Sequence, residues 1–341
     1  MEAVEERRFL NPRVHRSYRA VGVDVGGTKI ACAIVSFEGL QPPVLSYHKE
    51  VPTEAALGGE HVMGTIIGVV RACLDEARVQ EGDSFMDGVF GIGVGTAGCP
   101  DPHDGSIASA NDIMPGWTGM PVAARLRYAF GLPASVMGDV QAHALGEARW
   151  GAARGVSSCL LVAPGTGLGG ALVIAGRVLR GAHGIAGHIG HTLHPAARDM
   201  ECQCGRFAHI ESIASGQGIG ALYQGVSAAD PSFDEARGGA WVSAQAQAGD
   251  TRALQVLHDA GFALGESIAS WVNILDPELV ILAGSVCRAG APWREALSAG
   301  YQSQALDPVA QTRIVDAALG GEAPLIGAAE DLLDSLELTG L

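Results

Sequence analysis

AVGVDVGGTKIACAIV, residues 20–35, is the stretch from which the fold is read. An apolar run from Ala20 to Val25, interrupted by Asp24, stops at Gly26-Gly27-Thr28-Lys29, and a second apolar run, Ile30 to Val35, follows. Two strands joined by a glycine turn is the natural reading. Asp24 falls near the end of the first strand, beside the glycines. Glycines let backbone N–H groups approach a phosphate, and Thr28 adds a hydroxyl. Asp24 is suited to hold Mg2+, directly or through water. Taken alone, the motif is equally an ordinary hairpin with Asp as a turn residue.

The same logic returns in the middle of the chain. Ser157 to Ala163 is an apolar strand, Gly165-Thr166-Gly167-Leu168-Gly169-Gly170 follows, and Ala171 to Ile174 is a second strand. Two such turns, each in the first hairpin of its half, point to a duplicated domain with phosphate held between the halves. Between and after them, strands and helices alternate as in an α/β protein. Helical spacing covers Glu60–Val79, Pro121–Phe130, Val140–Trp150, Ala240–Gln247, Thr251–Leu275 and Pro324–Leu336. Buried strands are expected at Phe90–Val94, Ala134–Met137, Leu279–Ala283 and Ile314–Ala317. Gly95 to Pro100 and the polar stretch Ser227 to Gly239 read as loops, and Trp117 as a packing residue.

Asp139 follows the Ala134–Met137 strand and precedes a helix, where open α/β sheets bind ligands. A carboxylate there can act as general base on a substrate hydroxyl. Helix capping is the competing role. Gly284-Ser285, at the end of another strand, is suited to lie under an adenine or ribose, or is a plain strand-to-helix turn.

Gly181 to Glu211 carries His183, His188, His191, His194 and His209, together with Cys202, Cys204 and Gly205. Nitrogen and sulfur donors at this density suggest a tetrahedral zinc site, with His191, Cys202, Cys204 and His209 as ligands. No H-E-x-x-H pattern is present, so the site reads as structural. The alternative is a solvated histidine-rich loop with two idle thiols.

The composition bounds the partners. The chain has 341 residues, 48% of them hydrophobic and 17% charged, which suits a globular protein of two domains. A net charge of −15 argues against a broad nucleic-acid or anionic-membrane surface. Seven cysteines, mostly single in apolar stretches, form a reduced, cytoplasmic pattern rather than a disulfide framework. No signal peptide and no run of about eighteen apolar residues is visible.

Taken together, these residues resemble the ROK family of sugar kinases and sugar-responsive repressors, from about Val21 to Leu333. The two glycine turns look like its phosphate motifs. Asn111 through Trp117 resembles its Asn…Pro-Gly-Trp segment near the sugar, and Gly187 to His191 its Glu-x-Gly-His region. Cys202-Gln203-Cys204-Gly205 opens its zinc loop, Glu211 matches the glutamate that closes it, and Leu282 to Ser285 resembles its adenosine region.

The resemblance implies the actin-like, hexokinase-type (ribonuclease H-like) ATPase fold, with two α/β domains flanking a cleft. Residues 19–140 plus 324–341 would form the small domain, 141–323 the large one with the zinc loop, and 1–18 a tail. It also implies ATP-dependent phosphorylation of a hexose or substituted hexose, with Asp139 as base and Mg2+ assisting. Sugar contacts are then expected from Gly98, Asn111, Gly138, His188, His191 and Glu211. Nucleotide contacts are expected from Asp24, Gly26, Gly27, Thr28, Lys29, Gly165, Thr166, Gly167, Gly284 and Ser285. A homodimer is expected from the family alone.

Three positions depart from the family pattern: Gly138 replaces an Asn, His188 a Glu, and His209 a zinc Cys. Zinc tolerates the third change. The first two remove hydrogen-bonding capacity toward a sugar, at about 1 kcal/mol or more for each lost bond. They leave a non-catalytic sugar sensor as the second functional reading. About twenty residues before the first strand are too few for a helix-turn-helix, so no DNA-binding version is expected. A polyphosphate donor would want a basic groove, for which 22 basic against 37 acidic residues give little sign.

Overall fold

The computed structural model describes residues 17–110 and 114–339, with side chains through residue 336. The sequence-based reading of Asn111 lies outside the described residues. The described residues form two compact units, those within 17–157, 172–186 and 318–339 in one, and 158–171 and 187–317 in the other.

The first unit is built on a five-stranded sheet of order β3-β2-β1-β4-β7, formed by β1 (Ser17–Val25), β2 (Lys29–Glu38), β3 (Val44–Pro52), β4 (Val89–Thr96) and β7 (Ala134–Gly138). β1, β2 and β3 pair antiparallel, whereas β1, β4 and β7 run parallel. The small hairpin β5 (Cys99–Pro100) and β6 (Ile107–Ser109) replaces part of the expected loop after β4. Helices α1 (Gly59–Glu81), α2 (Val122–Phe130), α3 (Asp139–Trp150) and α8 (Ala323–Thr339) accompany the sheet. Val62, Ile66, Val69, Val70 and Cys73 of α1 share one core with Val21, Val23, Ile92 and Val94 of the strands. Ile326, Ala329, Leu332 and Leu333 of α8 close a second core over Tyr18 and Phe37.

Glycine decides how closely α8 can sit. A Cβ on Gly93 would lie 1.9 Å from the carbonyl oxygen of Ala328, and one on Gly327 would lie 1.8 Å from that of Ala142. Both contacts are backbone against backbone, so any side chain would push the helix off the sheet or off α3. Arg149 of α3 anchors the same helix through Glu330 at 2.5 Å and Asp334 at 2.7 Å.

The second sheet has the order β10-β9-β8-β11-β12, from β8 (Ser158–Pro164), β9 (Leu168–Ile174), β10 (Arg177–Val178), β11 (Leu279–Leu282) and β12 (Arg313–Asp316). β8, β11 and β12 are parallel. The second unit holds β8, β11, β12 and the start of β9, together with α4 (Gly216–Gln224), α5 (Gly239–Gln247), α6 (Thr251–Leu275) and α7 (Ala291–Gln304).

β3 and α7 are absent from the sequence-based assignment. β3 is a half-exposed edge strand, with Tyr47-His48-Lys49-Glu50 at its centre, and its hydrophobic alternation is too weak to read. In α7, Gly300 and the polar Gln302, Ser303 and Gln304 dilute the helical pattern, yet packing imposes the helix. Gly300 is needed there because a Cβ would lie 2.1 Å from the carbonyl oxygen of Phe262 on α6.

Candidate active site and metal centre

In the first unit, the three parallel strands end together. Register places Asp24 opposite Gly95, and Thr96 opposite Gly138, so Asp24, the 96–98 segment and Asp139 share one edge of the sheet. Ligand sites in open α/β sheets lie at such carboxyl ends. Gly95 makes the room for this: a Cβ there would meet Ala142 at 3.0 Å and Cα of Asp139 at 3.6 Å. The 96–98 segment is tied down by the Ala97 N–H on the carbonyl of Val25 and by Trp117, whose indole N–H donates to the Ala97 carbonyl at 3.2 Å. Trp117 is fully buried, in keeping with a packing role.

Gly138, not Asp139, occupies the N-cap of α3, and Oδ1 of Asp139 accepts the N–H of Val140 at 2.8 Å. Gly138 has an extended backbone, and its N–H donates to Oε1 of Gln141 at 3.3 Å. Asp24 is acid-weakened: burial first, and then the negative charge of Asp139, push its carboxyl from the ordinary 3.8 up to about 7. A buried acid held up by the charge of a neighbouring carboxylate suits a site that receives a cation.

Thr53 holds the first glycine turn. Its hydroxyl donates to the Gly26 carbonyl at 2.7 Å, and its N–H donates to the Thr28 carbonyl at 3.0 Å. The sequence-based reading missed it because β3, which leads into it, was missed. Gly27 and Thr28 are exposed, and Lys29 pairs with Glu50 across β2 and β3 at 2.7 Å. Gly98 has φ +95°, and a Cβ on it would lie 3.0 Å from the Ser109 carbonyl.

In the second unit, four glycine backbones gather around the second turn. The Gly216 N–H donates to the Gly165 carbonyl at 2.8 Å, and the Gln217 N–H to the Thr166 carbonyl at 3.3 Å. A Cβ on Gly284 would lie 2.6 Å from the Pro164 carbonyl, and one on Gly239 3.0 Å from Cα of Gly216. Gly284, with φ +100°, therefore serves as both a left-handed turn and a close approach. Ser285 follows it, exposed, at the head of a short 3-10 turn. Gly216 and Gly239 are members of this group that the sequence-based reading did not single out; the density of glycines at helix starts was the available signal.

His191, Cys202, Cys204 and His209 converge, with their donor atoms all within 4.8 Å of one another. Nδ1 of His191 is 3.3 Å from Nδ1 of His209 and 3.8 Å from Sγ of Cys202, while Sγ of Cys204 is 3.2 Å from Nδ1 of His209. Tetrahedral zinc, with Zn–N about 2.0 Å and Zn–S about 2.3 Å, sets donor atoms about 3.3–3.8 Å apart. The donor set and its spacing thus fit the metal. A tight hairpin builds the cluster: Cys202 N–H donates to the Arg206 carbonyl at 2.7 Å, and Gly205, at φ +76°, donates to the Cys202 carbonyl at 2.8 Å. His183 is exposed outside the cluster. His194 is engaged elsewhere, with the Ala196 N–H on its Nδ1 and Glu266 at 3.3 Å from its Nε2. The His188 ring stacks 6.3 Å from that of His191.

The arrangement of two α/β units with mixed sheets, acids at parallel strand ends and a glycine turn in each half is that of the actin-like ATPases. Within that class the chain belongs to the ROK family, whose family model matches residues 20–334. It is 33% identical over 318 residues to a glucokinase of Halalkalibacterium halodurans, a match covering 90% of this chain and 92% of that one. It is 30% identical over 269 residues to an N-acetylmannosamine kinase of Escherichia coli O9:H4, covering 78% of this chain and 82% of that one. Among solved structures, the ROK hexokinase of Thermus thermophilus superposes with a TM-score of 0.75 at 33% identity, covering 95% of this chain and all 100% of the other. The ROK family glucokinase of Streptomyces griseus, in complex with glucose and AMPPNP, gives 0.70 at 25% identity, covering 92% and 98%. Among the described residues, no helix is long and apolar enough to cross a membrane.

Proposed function

We infer that this chain is an ATP-dependent sugar kinase, with Asp139 as its general base. The observation that carries the reading is the placement of Asp139 at the end of β7, beside the acid-weakened Asp24, in a ROK chain whose relatives are glucokinases and an N-acetylmannosamine kinase. Asp139 takes the proton of a sugar hydroxyl as that oxygen forms a bond to the γ-phosphorus. The bond from that phosphorus to the bridging oxygen breaks, and ADP leaves with the electron pair. Backbone N–H groups at Gly26-Gly27-Thr28 and at Gly165-Thr166-Gly167 hold the phosphates, and Thr28 contributes its hydroxyl. Mg2+, when bound beside Asp24, neutralises phosphate charge and keeps that carboxyl ionised. Lys29 adds a positive charge near the first turn, and Gly284 and Ser285 receive the adenosine.

The sugar is held by Gly98, Asn111, Gly138, His188, His191 and Glu211. A Cβ on Gly138 would meet nothing nearer than the Gln141 side chain at 3.5 Å, an ordinary contact distance, so packing does not require glycine at this buried position. We propose that it accommodates a substituent larger than hydroxyl on the hexose. Zinc on His191, Cys202, Cys204 and His209 would be structural and would fix the loop that carries His188, His191 and Glu211. A homodimer in a reducing cytoplasm completes the reading; among the described residues no disulfide joins the seven cysteines, which is in keeping with that compartment.

A coupled ADP-release assay over a panel of plain and N-acetylated hexoses, run on the wild type and Asp139→Ala, tests the kinase reading. Turnover on at least one sugar, lost in the variant, is expected. No turnover above the variant on any sugar would move the chain to the non-catalytic sensor. Unmodified glucose as clearly the best substrate would remove the larger-substituent proposal.

A further inference from the structure

Glu211 has a partner on each side of its carboxylate. Oε2 accepts the N–H of Leu168, the residue directly after the Gly165-Thr166-Gly167 turn, at 2.8 Å. Oε1 lies 3.5 Å from Sγ of Cys202, one of the four metal donors. The first of these oxygens also occupies the space a side chain on Gly167 would need, since a Cβ there would lie 2.7 Å from it. The backbone that leaves Glu211 returns to the same turn: the Ser215 N–H donates to the Glu211 carbonyl at 3.2 Å, and the next N–H, of Gly216, donates to the Gly165 carbonyl. One side chain therefore spans from the metal loop to the phosphate turn, and its own segment braces that turn a second time.

We propose that Glu211 is a positioning residue through which metal loading at His191, Cys202, Cys204 and His209 sets nucleotide affinity at the second glycine turn. The proposal rests on the kinase reading, in which that turn holds ATP phosphates. The metal fixes Cys202. The fixed Cys202 limits where Oε1 can sit, and the carboxylate so limited holds the Leu168 N–H. The N–H groups of the turn are then oriented before a phosphate arrives, which lowers the ordering cost of binding. Without a metal the Cys202 hairpin would lose its anchor, Sγ would no longer be fixed beside Oε1, and the turn would no longer be held in a single geometry. Such coupling is reciprocal, so nucleotide must also tighten the metal.

The test is calorimetric binding of the Mg2+ complex of AMPPNP, without sugar, with zinc content measured in parallel. Zinc-loaded wild type, chelator-stripped wild type, Glu211→Ala, Glu211→Gln and Gly167→Ala are compared. Glu211→Ala and stripped wild type are each expected to weaken analogue binding by about tenfold or more, the loss of a charge-assisted hydrogen bond to backbone. Stripping Glu211→Ala should weaken it little further, because the coupling is already gone. Glu211→Gln should fall between, since the amide oxygen can still accept the Leu168 N–H. Gly167→Ala should reproduce the loss with Glu211 present, and it carries the comparison if Glu211→Ala does not fold. In wild type alone, analogue should raise the chelator concentration needed to remove zinc. Wild-type affinity in a folded, zinc-loaded Glu211→Ala, or equal further weakening of both proteins on stripping, overturns the proposal. If zinc-loaded wild type binds no analogue at all, the kinase reading itself falls, and this coupling falls with it.

Discussion

Replacing Asp24 by Asn should make the protein more stable and less active, and the stability gain should depend on pH. In the folded chain the Asp24 carboxyl sits at about 7, against 3.8 for an ordinary Asp, because burial and Asp139 both disfavour its charge. A value raised on folding means the folded state keeps a proton that the unfolded state releases. Between about pH 4 and 7 the penalty for folding with this residue therefore grows as pH rises, and it levels off above 7. At about 1.4 kcal/mol per pH unit, a rise from 3.8 to about 7 sets a ceiling near 4 kcal/mol. Between about pH 5 and pH 8 the change should be about 2–3 kcal/mol. Asparagine has the same shape and no titrating proton, so it escapes this penalty. Urea unfolding of both proteins in Mg2+-free buffer at these two pH values reads the difference directly. Asp24→Asn should gain about 2–3 kcal/mol on the wild type in going from the lower to the higher pH. A gap that is the same at both pH values would refute the claim that Asp24 folds as a destabilised acid. Phosphoryl transfer should fall sharply in the same variant, since the carboxylate proposed to sit beside Mg2+ has lost its charge.

Other outcomes follow from named contacts. Arg149→Met removes the guanidinium that pairs with the fully buried Glu330 and with Asp334, and should cost about 3–5 kcal/mol in unfolding free energy by urea titration. His209→Ala removes one of four converging donors, so metal analysis should show zinc falling well below one per chain; full retention would count against the assignment. At Gly138→Asn the added Cβ sits at ordinary contact distance from Gln141 on an unstrained extended backbone, so the variant should fold, lower the KM for glucose and raise it for a bulkier N-acetylated hexose.

The parts of the molecule visible from sequence are those in which chemistry and backbone demand coincide. Gly26-Gly27-Thr28 and Gly165-Thr166-Gly167 stood out because paired glycines between two apolar runs mark a turn whose backbone N–H groups a phosphate could approach. The span of α6 was readable to the residue because Asp250 caps it, accepting the N–H groups of Arg252 and Ala253, and Pro277 follows its end. His191, Cys202, Cys204 and His209 were legible as donors, since few other roles gather two thiols and two imidazoles. What escaped was set by tertiary contact. β3 is a strand because β2 offers it an edge, not because its own residues alternate. Thr53 matters through two bonds to a turn more than twenty positions earlier, a pairing that no local pattern announces. Gly93 and Gly327 read as ordinary glycines until α8 is laid against the sheet. The link from Glu211 to Leu168 likewise joins segments 43 positions apart.

The central claim is that Asp139 moves the proton in phosphoryl transfer, and kcat of Asp139→Asn at saturating ATP and sugar tests it most directly. The amide keeps the size of the side chain and can still accept the Val140 N–H, so the fold and the dissociation constant of the sugar should change little. With the base gone, kcat should drop by a factor of about 10²–10⁴. A variant that turns over within a few-fold of wild type would contradict the account and place the base elsewhere.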